Sequence, residues 1–255
     1  MISGARAWSE RVVARASFDG ARTLRLREPT GQDELALDGI DTRAATAFLS
    51  RLVDRPEEVA ALAATDRDGL LAALHRGLWG DRILTSLECP SCSAMYDLSF
   101  ELSALQRHLQ SERRETRPLG SRSVEDADGN VYHLPSAGDE ERAADLGLEA
   151  GRRQLAGQIA GGSEADTASL EARLEQIAPL IDVDLEAPCA ECGHVALARF
   201  DVQTFTLQRL IDERDTILAE VDALASGYGW SLGEILGLAR NLRRAFAERA
   251  AGAVR

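Results

Sequence analysis

The sequence predicts an α+β fold, mostly helical, in which short β-hairpins alternate with helices and a split four-cysteine zinc ribbon ties distant stretches together. Three observations carry this expectation. All four cysteines fall in two Cys-x-x-Cys pairs, Cys89/Cys92 and Cys189/Cys192, with 96 residues between the pairs. Elsewhere apolar residues recur mainly at three- and four-residue steps, the helical period. Finally, residues 205–255 hold two such helical patterns divided by Gly227 and Gly229, which predicts a C-terminal antiparallel helical hairpin.

From the N-terminus, "ARTLRLREPTGQDELAL" (21–37) alternates apolar and polar residues around Pro-Thr-Gly and predicts a short hairpin or strand-turn unit. Helices follow. "DTRAATAFLSRLV" offers Asp41 or Thr42 as an N-cap, and "RPEEVAALAA" places Pro56 in a first helical turn. "TDRDGLLAALHRGLWG" has Thr65 as its expected cap and an apolar stripe of Leu70, Leu71, Leu74 and Leu78, with His75 beside the stripe as a partly buried histidine. A strand is expected after the first cysteine pair, in "AMYDLSFEL". In "EDADGNVYHL" the Asp128-Gly129-Asn130 run tolerates the positive φ of a hairpin turn. Two helices with thin apolar stripes are predicted over 139–158 and 164–178, each packing on one side. The second cysteine pair leads into the strand "ALARFDVQTF" and a helix to about Ser226. Ser231 and Glu234 then have the spacing of a capping box, which restarts a helix through Phe246.

These elements divide the chain into four expected parts: 1–82, a strand-turn with helices; 83–110 with 184–204, the two halves of the ribbon; 111–183, an acidic insertion; and 205–255, the helical hairpin. The halves echo one another. A shift of 100 residues superimposes Cys89, Cys92, Phe100, Glu101 and Leu102 on Cys189, Cys192, Phe200, Asp201 and Val202, and "PTGQDE" from Pro29 resembles "PSAGDE" from Pro135. Either an ancient duplication or the shared demands of two knuckles accounts for this.

Zinc takes four tetrahedral ligands, and a Cys-x-x-Cys turn supplies two thiolates from one tight knuckle, so the two pairs are expected to complete one closed structural site. The long separation is affordable. Closing such a loop costs about 4 kcal/mol plus a constant, against about 10–16 kcal/mol of apparent zinc-binding energy. Disulfides are disfavoured by the expected cytoplasmic setting, and thioredoxin-like pairs by the strands that follow both motifs. An iron-sulfur cluster uses the same ligands and remains the alternative. His194 is expected as a neighbour or surface residue, since four thiolates already fill the site.

The chain has 45% hydrophobic residues, enough for a core, yet its apolar runs fall far short of the about 20 residues of a membrane span. Residues 1–18 lack the apolar stretch of a secretory signal. All 29 basic residues are arginine, a bias typical of GC-rich bacterial genomes, and a bacterial cytoplasmic location is expected. The net charge of -13 disfavours nucleic acid as a partner, because nonspecific affinity comes from cationic side chains displacing counterions. Residues 111–186 alone hold 17 acids and 8 arginines. No P-loop, dinucleotide fingerprint, G-x-S-x-G elbow or H-E-x-x-H is present, the four histidines are scattered, and a closed thiolate site is not catalytic. The expectation is therefore a non-enzymatic protein with no small-molecule substrate.

The order "LLAALHRGLWGDRI", "ECPSCSAMYDLSF", "APCAECGHVALARFDV" and above all "LASGYGWSLGEILGL" with its trailing arginines resembles the baseplate or baseplate-hub assembly proteins of contractile phage tails and related bacterial injection systems. The resemblance spans about residues 66–250. The family's ending is richer in Pro and Tyr, where this chain has "LARNLRRAF". The resemblance implies a structural or chaperone-like assembly component, whose partners are baseplate, hub or tail-tube proteins and which could enter a phage-like particle. Tyr228 and Trp230 at the hairpin tip, with Arg240, Arg243 and Arg244, are the candidate partner-binding residues. The rival is a DNA-binding transcription regulator, since helix, glycine turn and second helix also describe a helix-turn-helix. Against it, the second helix opens on Ser231, Leu232, Gly233 and acidic Glu234.

Overall fold

The computed structural model describes residues 8, 11–14, 23–120, 122–161 and 167–253. Residues 21–22 of the first expected strand, 164–166 of an expected helix, and Arg255 lie outside them. Helices and small antiparallel sheets alternate, as expected for a mixed fold. A strand β1 (Arg11–Ala14) pairs with β2 (Thr23–Leu26). The expected second arm of that hairpin is instead a short helix, α1 (Gly31–Leu35): Thr30 accepts the Asp33 N–H while Asp33 accepts the Thr30 N–H, a reciprocal cap that outweighs the strand-like alternation.

Helix α2 (Thr42–Leu52) starts on Asp41, whose carboxylate accepts the Ala44 N–H. Pro56–Ala61 forms a 3-10 helix with Pro56 in its first turn. Helix α3 (Ala64–Trp79) begins two residues earlier than expected, and its N-cap is Ala63. Thr65 is not the cap; its hydroxyl donates to the Pro179 carbonyl, far along the chain. Leu70, Leu71 and Leu74 are buried as the stripe predicted, and His75 is buried completely rather than partly.

Strands β3 (Arg82–Glu88) and β4 (Met95–Glu101) form the first cysteine-bearing hairpin, followed by α4 (Leu102–Glu112). Strands β5 (Thr116–Pro118), β6 (Ser123–Asp126) and β7 (Val131–His133) make a three-stranded sheet that contains the expected 125–134 hairpin. The helix expected over 139–158 is two helices, α5 (Ala137–Asp145) and α6 (Leu148–Ile159), parted where Gly147 adopts φ 79°. After α7 (Thr167–Ile177) comes the second hairpin, β8 (Asp182–Pro188) and β9 (Val195–Asp201), then α8 (Val202–Asp212).

Each element of the run β3-β4-α4 therefore recurs as β8-β9-α8 at an offset of 100 residues. The connecting hydrogen bonds repeat too: Leu102 N–H to Asp81 carbonyl at 2.8 Å, Val202 N–H to Ile181 carbonyl at 2.9 Å. The echo extends to the capped helices. Ser136 and Asp139 cap α5 as Thr30 and Asp33 cap α1. The Pro135 carbonyl accepts the Ala64 N–H at 3.1 Å, and the Pro29 carbonyl accepts the Arg240 N–H at 3.0 Å.

The C-terminal part has more breaks than expected. Helix α8 stops at Asp212, α9 (Arg214–Tyr228) ends on left-handed Gly229, and the restarted helix divides into α10 (Leu232–Gly237) and α11 (Arg240–Ala253). The gap exists because Ala239 bridges Thr30 in extended conformation, a contact no local pattern encodes. Helices α9 and α11 then pack as a hairpin on a small core of Leu224, Ile235 and Ala247.

The main core is shared across the chain. Leu26 of β2 and Phe48, Leu49 and Leu71 of the N-terminal helices meet Ile83, Phe200, Val202 and Leu207 from both cysteine-bearing units. A second core under the three-stranded sheet holds Val124, Leu134, Ile159 and Ile177. Among the described residues no helix is long and apolar enough to cross a membrane.

Candidate metal centre

Each cysteine pair sits in the tight turn of its hairpin, and the two turns share one hydrogen-bond scheme. The Cys89 N–H donates to the Ala94 carbonyl at 2.9 Å and the Ser93 N–H to the Cys89 carbonyl at 2.8 Å. In the second turn Cys189 donates to His194 at 2.8 Å and Gly193 to Cys189 at 3.0 Å. Both turns reverse through a left-handed residue, Ser93 at φ 56° and Gly193 at φ 73°. A side chain is disfavoured there, so Gly193 relaxes what Ser93 must strain to adopt.

The turns meet face to face. All four sulfurs lie within 4.8 Å of one another. Cys89 Sγ is 3.6 Å from Cys192 Sγ, and Cys92 Sγ is 3.8 Å from Cys189 Sγ, so each hairpin makes on the other the contact it receives. Phe100 and Phe200, equivalent in the repeat, meet edge to face at 5.0 Å at the ends of the hairpins away from the sulfurs. These reciprocal contacts define an approximate twofold relation between the hairpins. One asymmetric bond joins them, from the Tyr96 hydroxyl to the Ala187 carbonyl at 3.0 Å.

These spacings suit a metal and not disulfides. A tetrahedron with metal–sulfur bonds of about 2.3 Å has edges of about 3.8 Å, whereas a disulfide needs about 2.05 Å. Cys89 and Cys189 are buried, 1% and 3% exposed, while Cys92 and Cys192 face solvent. Burial opposes ionisation of Cys89, but the Cys92 and Ser91 N–H groups outweigh it and draw its thiol down to about 6. Cys92 is pushed up to about 12: the Ala94 N–H favours its thiolate, and the sulfurs of Cys192, Cys89 and Cys189 disfavour a further negative charge. Four thiolates at these distances require a cation. The site is compatible with a single bound metal ion. His194 is exposed and lies outside the sulfur cluster.

The other candidate residues divide. Tyr228 and Trp230 stack at 4.9 Å, and both meet Phe246 edge to face. Tyr228 is 43% exposed, and Trp230 is packed against the α9–α11 core. Arg240 and Arg243, expected to face a partner, are instead 1% and 0% exposed. Arg240 pairs with Glu34 and Glu213. Arg243 pairs with Glu34 and Glu220, each at 2.6 Å. Arg244 is part-exposed and bonds Glu213 at 3.0 Å. Burial lowers the Arg240 pKa to about 10, against the opposing pull of Glu34. The arginines thus staple α11 to α1 and to α9 with the residue before it. Sequence reasoning missed Glu34, Glu213 and Glu220; the signal within reach was the repeated Pro-x-x-x-Asp-Glu, since Glu140 of the second copy binds Arg67 at 2.5 Å as Glu34 binds Arg243.

No protein-family model matches the chain, and neither a curated protein nor a solved structure does.

Proposed function

We propose that this chain is a non-catalytic structural or assembly component of a contractile tail or injection-system baseplate, built around one structural zinc ion. The observation that carries the metal reading is the reciprocal four-sulfur set, Cys89, Cys92, Cys189 and Cys192, spaced for a single tetrahedral ion. Multi-iron clusters spread their thiolates around several metal atoms, so this spacing favours the zinc ribbon over the iron-sulfur alternative. Zinc held this way links two hairpins 100 residues apart and neutralises charge that the thiolates cannot share alone. Four thiolates leave no open coordination position for water or substrate, which supports the non-catalytic reading.

The baseplate assignment rests on the resemblance of "LASGYGWSLGEILGL", whose aromatic tip stays partly exposed through Tyr228. The DNA-binding rival loses support because Arg240 and Arg243 are buried and the helix that would enter the groove is cut at Leu238.

Two measurements test the proposal. Elemental analysis of purified protein is expected to give about one zinc and no stoichiometric iron per chain; a folded, metal-free or iron-loaded chain refutes the zinc site. Tagged protein is expected to co-purify with tube, spike or baseplate subunits from cells making the particle. Salt-dependent duplex binding tighter than micromolar, without those subunits, refutes the assembly role.

A further inference from the structure

The repeat creates two related grooves, each between the first strand of one cysteine-bearing hairpin and the helix that follows the other. Beside β3 the groove measures about 540 Å³, and its lining includes Trp79, Phe205, the cations Arg82 and Arg209 and a single acid, Asp212. Beside β8 it measures about 580 Å³. There the equivalents of Arg82 and Arg209 are Asp182 and Leu109. The same place in the repeat thus carries opposite charge, so the acidity of the β8 groove does not follow from the fold.

Leu109 of α4, Leu174 of α7, Leu134 and Val183 give the β8 groove an apolar floor, and Leu180 at its edge is 39% exposed. Five carboxylates line it, from Glu140, Glu171, Glu175, Asp182 and Asp184, and no basic residue does. Three of them are engaged: Glu140 by Arg67 at 2.5 Å, Glu171 by Arg152 at 2.8 Å and Asp182 by Arg199 at 2.5 Å. Glu175 and Asp184 are exposed; neither forms an ion pair within 4.0 Å among the described residues, and Arg199, across the β8–β9 ladder from Asp184, is bonded to Asp182 instead. An apolar occupant would take Glu175 and Asp184 out of water with no cation bonded to either, which is costly, whereas one carrying cations beside its apolar groups satisfies both surfaces. The acidic excess of residues 111–186 would also steer a cationic chain toward the groove.

We propose that the β8 groove docks a partner's peptide segment in which leucine-like anchors alternate with arginine or lysine. The site stands on the groove and not on the contractile-particle reading, so the two tests fail separately. The probe is a fluorescein-labelled synthetic peptide of Leu-Leu-Arg-Arg blocks, set against a peptide in which serine replaces every leucine, both titrated into the full chain.

The leucine-arginine peptide is expected to bind at least about tenfold tighter than the serine control, because its anchors reach the floor. Glu175→Arg combined with Asp184→Arg should weaken it about tenfold, and Leu174→Arg should do the same by filling the floor with charge. Thermal melts of the double variant should fall by no more than a few degrees, the effect of setting a second cation across the ladder from Arg199 at an exposed position. Equal binding of the two peptides, unchanged affinity in the double variant, or self-association of the chain through this face in sedimentation without peptide binding each overturns the proposal.

Discussion

Asp68 lies in the first turns of α3, where its carboxylate accepts the Ile181 N–H at 2.9 Å. Burial pushes its pKa up to about 7, beyond what Arg67 and that N–H draw down, with Asp201 and Glu140 adding to the rise. His75, against Trp79 and Phe205, moves the other way: burial first and Arg209 second lower it to about 4, despite Asp81. The signs follow from linkage. With an unfolded value of about 3.9 for Asp68, the folded state holds the extra proton between about 4 and 7, so stability falls as pH rises there. With an unfolded value of about 6.5 for His75, the unfolded state holds it between about 4 and 6.5, so stability falls as pH drops there. The two slopes oppose over their overlap. Asp68→Asn should therefore expose a stability that rises with pH, and His75→Gln one that falls, each by up to about 1.4 kcal/mol per pH unit. Urea melts across this range check the pair; parallel curves for the two variants would contradict both assignments.

At the scale of elements, the two knuckles are one backbone design written with different residues. Ser93 occupies the left-handed position that Gly193 occupies in the other copy. Ser93→Gly is expected to stabilise the folded protein or leave it unchanged, within about 1 kcal/mol, and Gly193→Ala to cost about 1 kcal/mol. Melts of the metal-loaded protein read both, and a destabilising Ser93→Gly would mean that the hydroxyl matters more than the backbone. The knuckles, the strand that follows each and the Ser231–Glu234 cap were legible because each is specified by neighbours within a few residues, whereas β3 and β8, the strands that lead into the knuckles, were not. The breaks after Asp212 and at Leu238–Ala239 were not. Glu213, in the first of them, is held by Trp79, Arg240 and Arg244, and Ala239, in the second, by Thr30. These helices are interrupted by what they touch rather than by what they contain.

For the whole molecule, buried ion pairs close the chain on itself. Glu34 near the N-terminus receives both Arg240 and Arg243 from the last helix. Arg243→Met leaves Glu34 with Arg240 alone and Glu220 with Arg244 alone, so two buried charges lose part of their compensation and the expected cost is about 3 kcal/mol, the low end for a broken buried pair. Arg244→Met, at a part-exposed pair, should cost under about 1 kcal/mol. Equilibrium denaturation separates them, and similar losses would show that burial does not set the difference. The repeat explains why these pairs have the geometry they do: each capped acidic helix, α1 and α5, takes the arginine in the first turn or so of a helix docked against its proline carbonyl. The helices serving the two copies, α11 and α3, do not occupy matching places in the sequence, and this hid the correspondence.

The sequence by itself determined the four cysteines as one set, the turns that present them, and the echo at 100 residues, because ligand chemistry and tight turns are local. Only the tertiary structure decided which arginines face solvent and which are locked inside, where helices stop for a contact, and that two equivalent grooves carry opposite charge. Those properties depend on pairs separated by up to about two hundred residues, and burial turns an ordinary surface charge into a structural one only after the chain has closed around it.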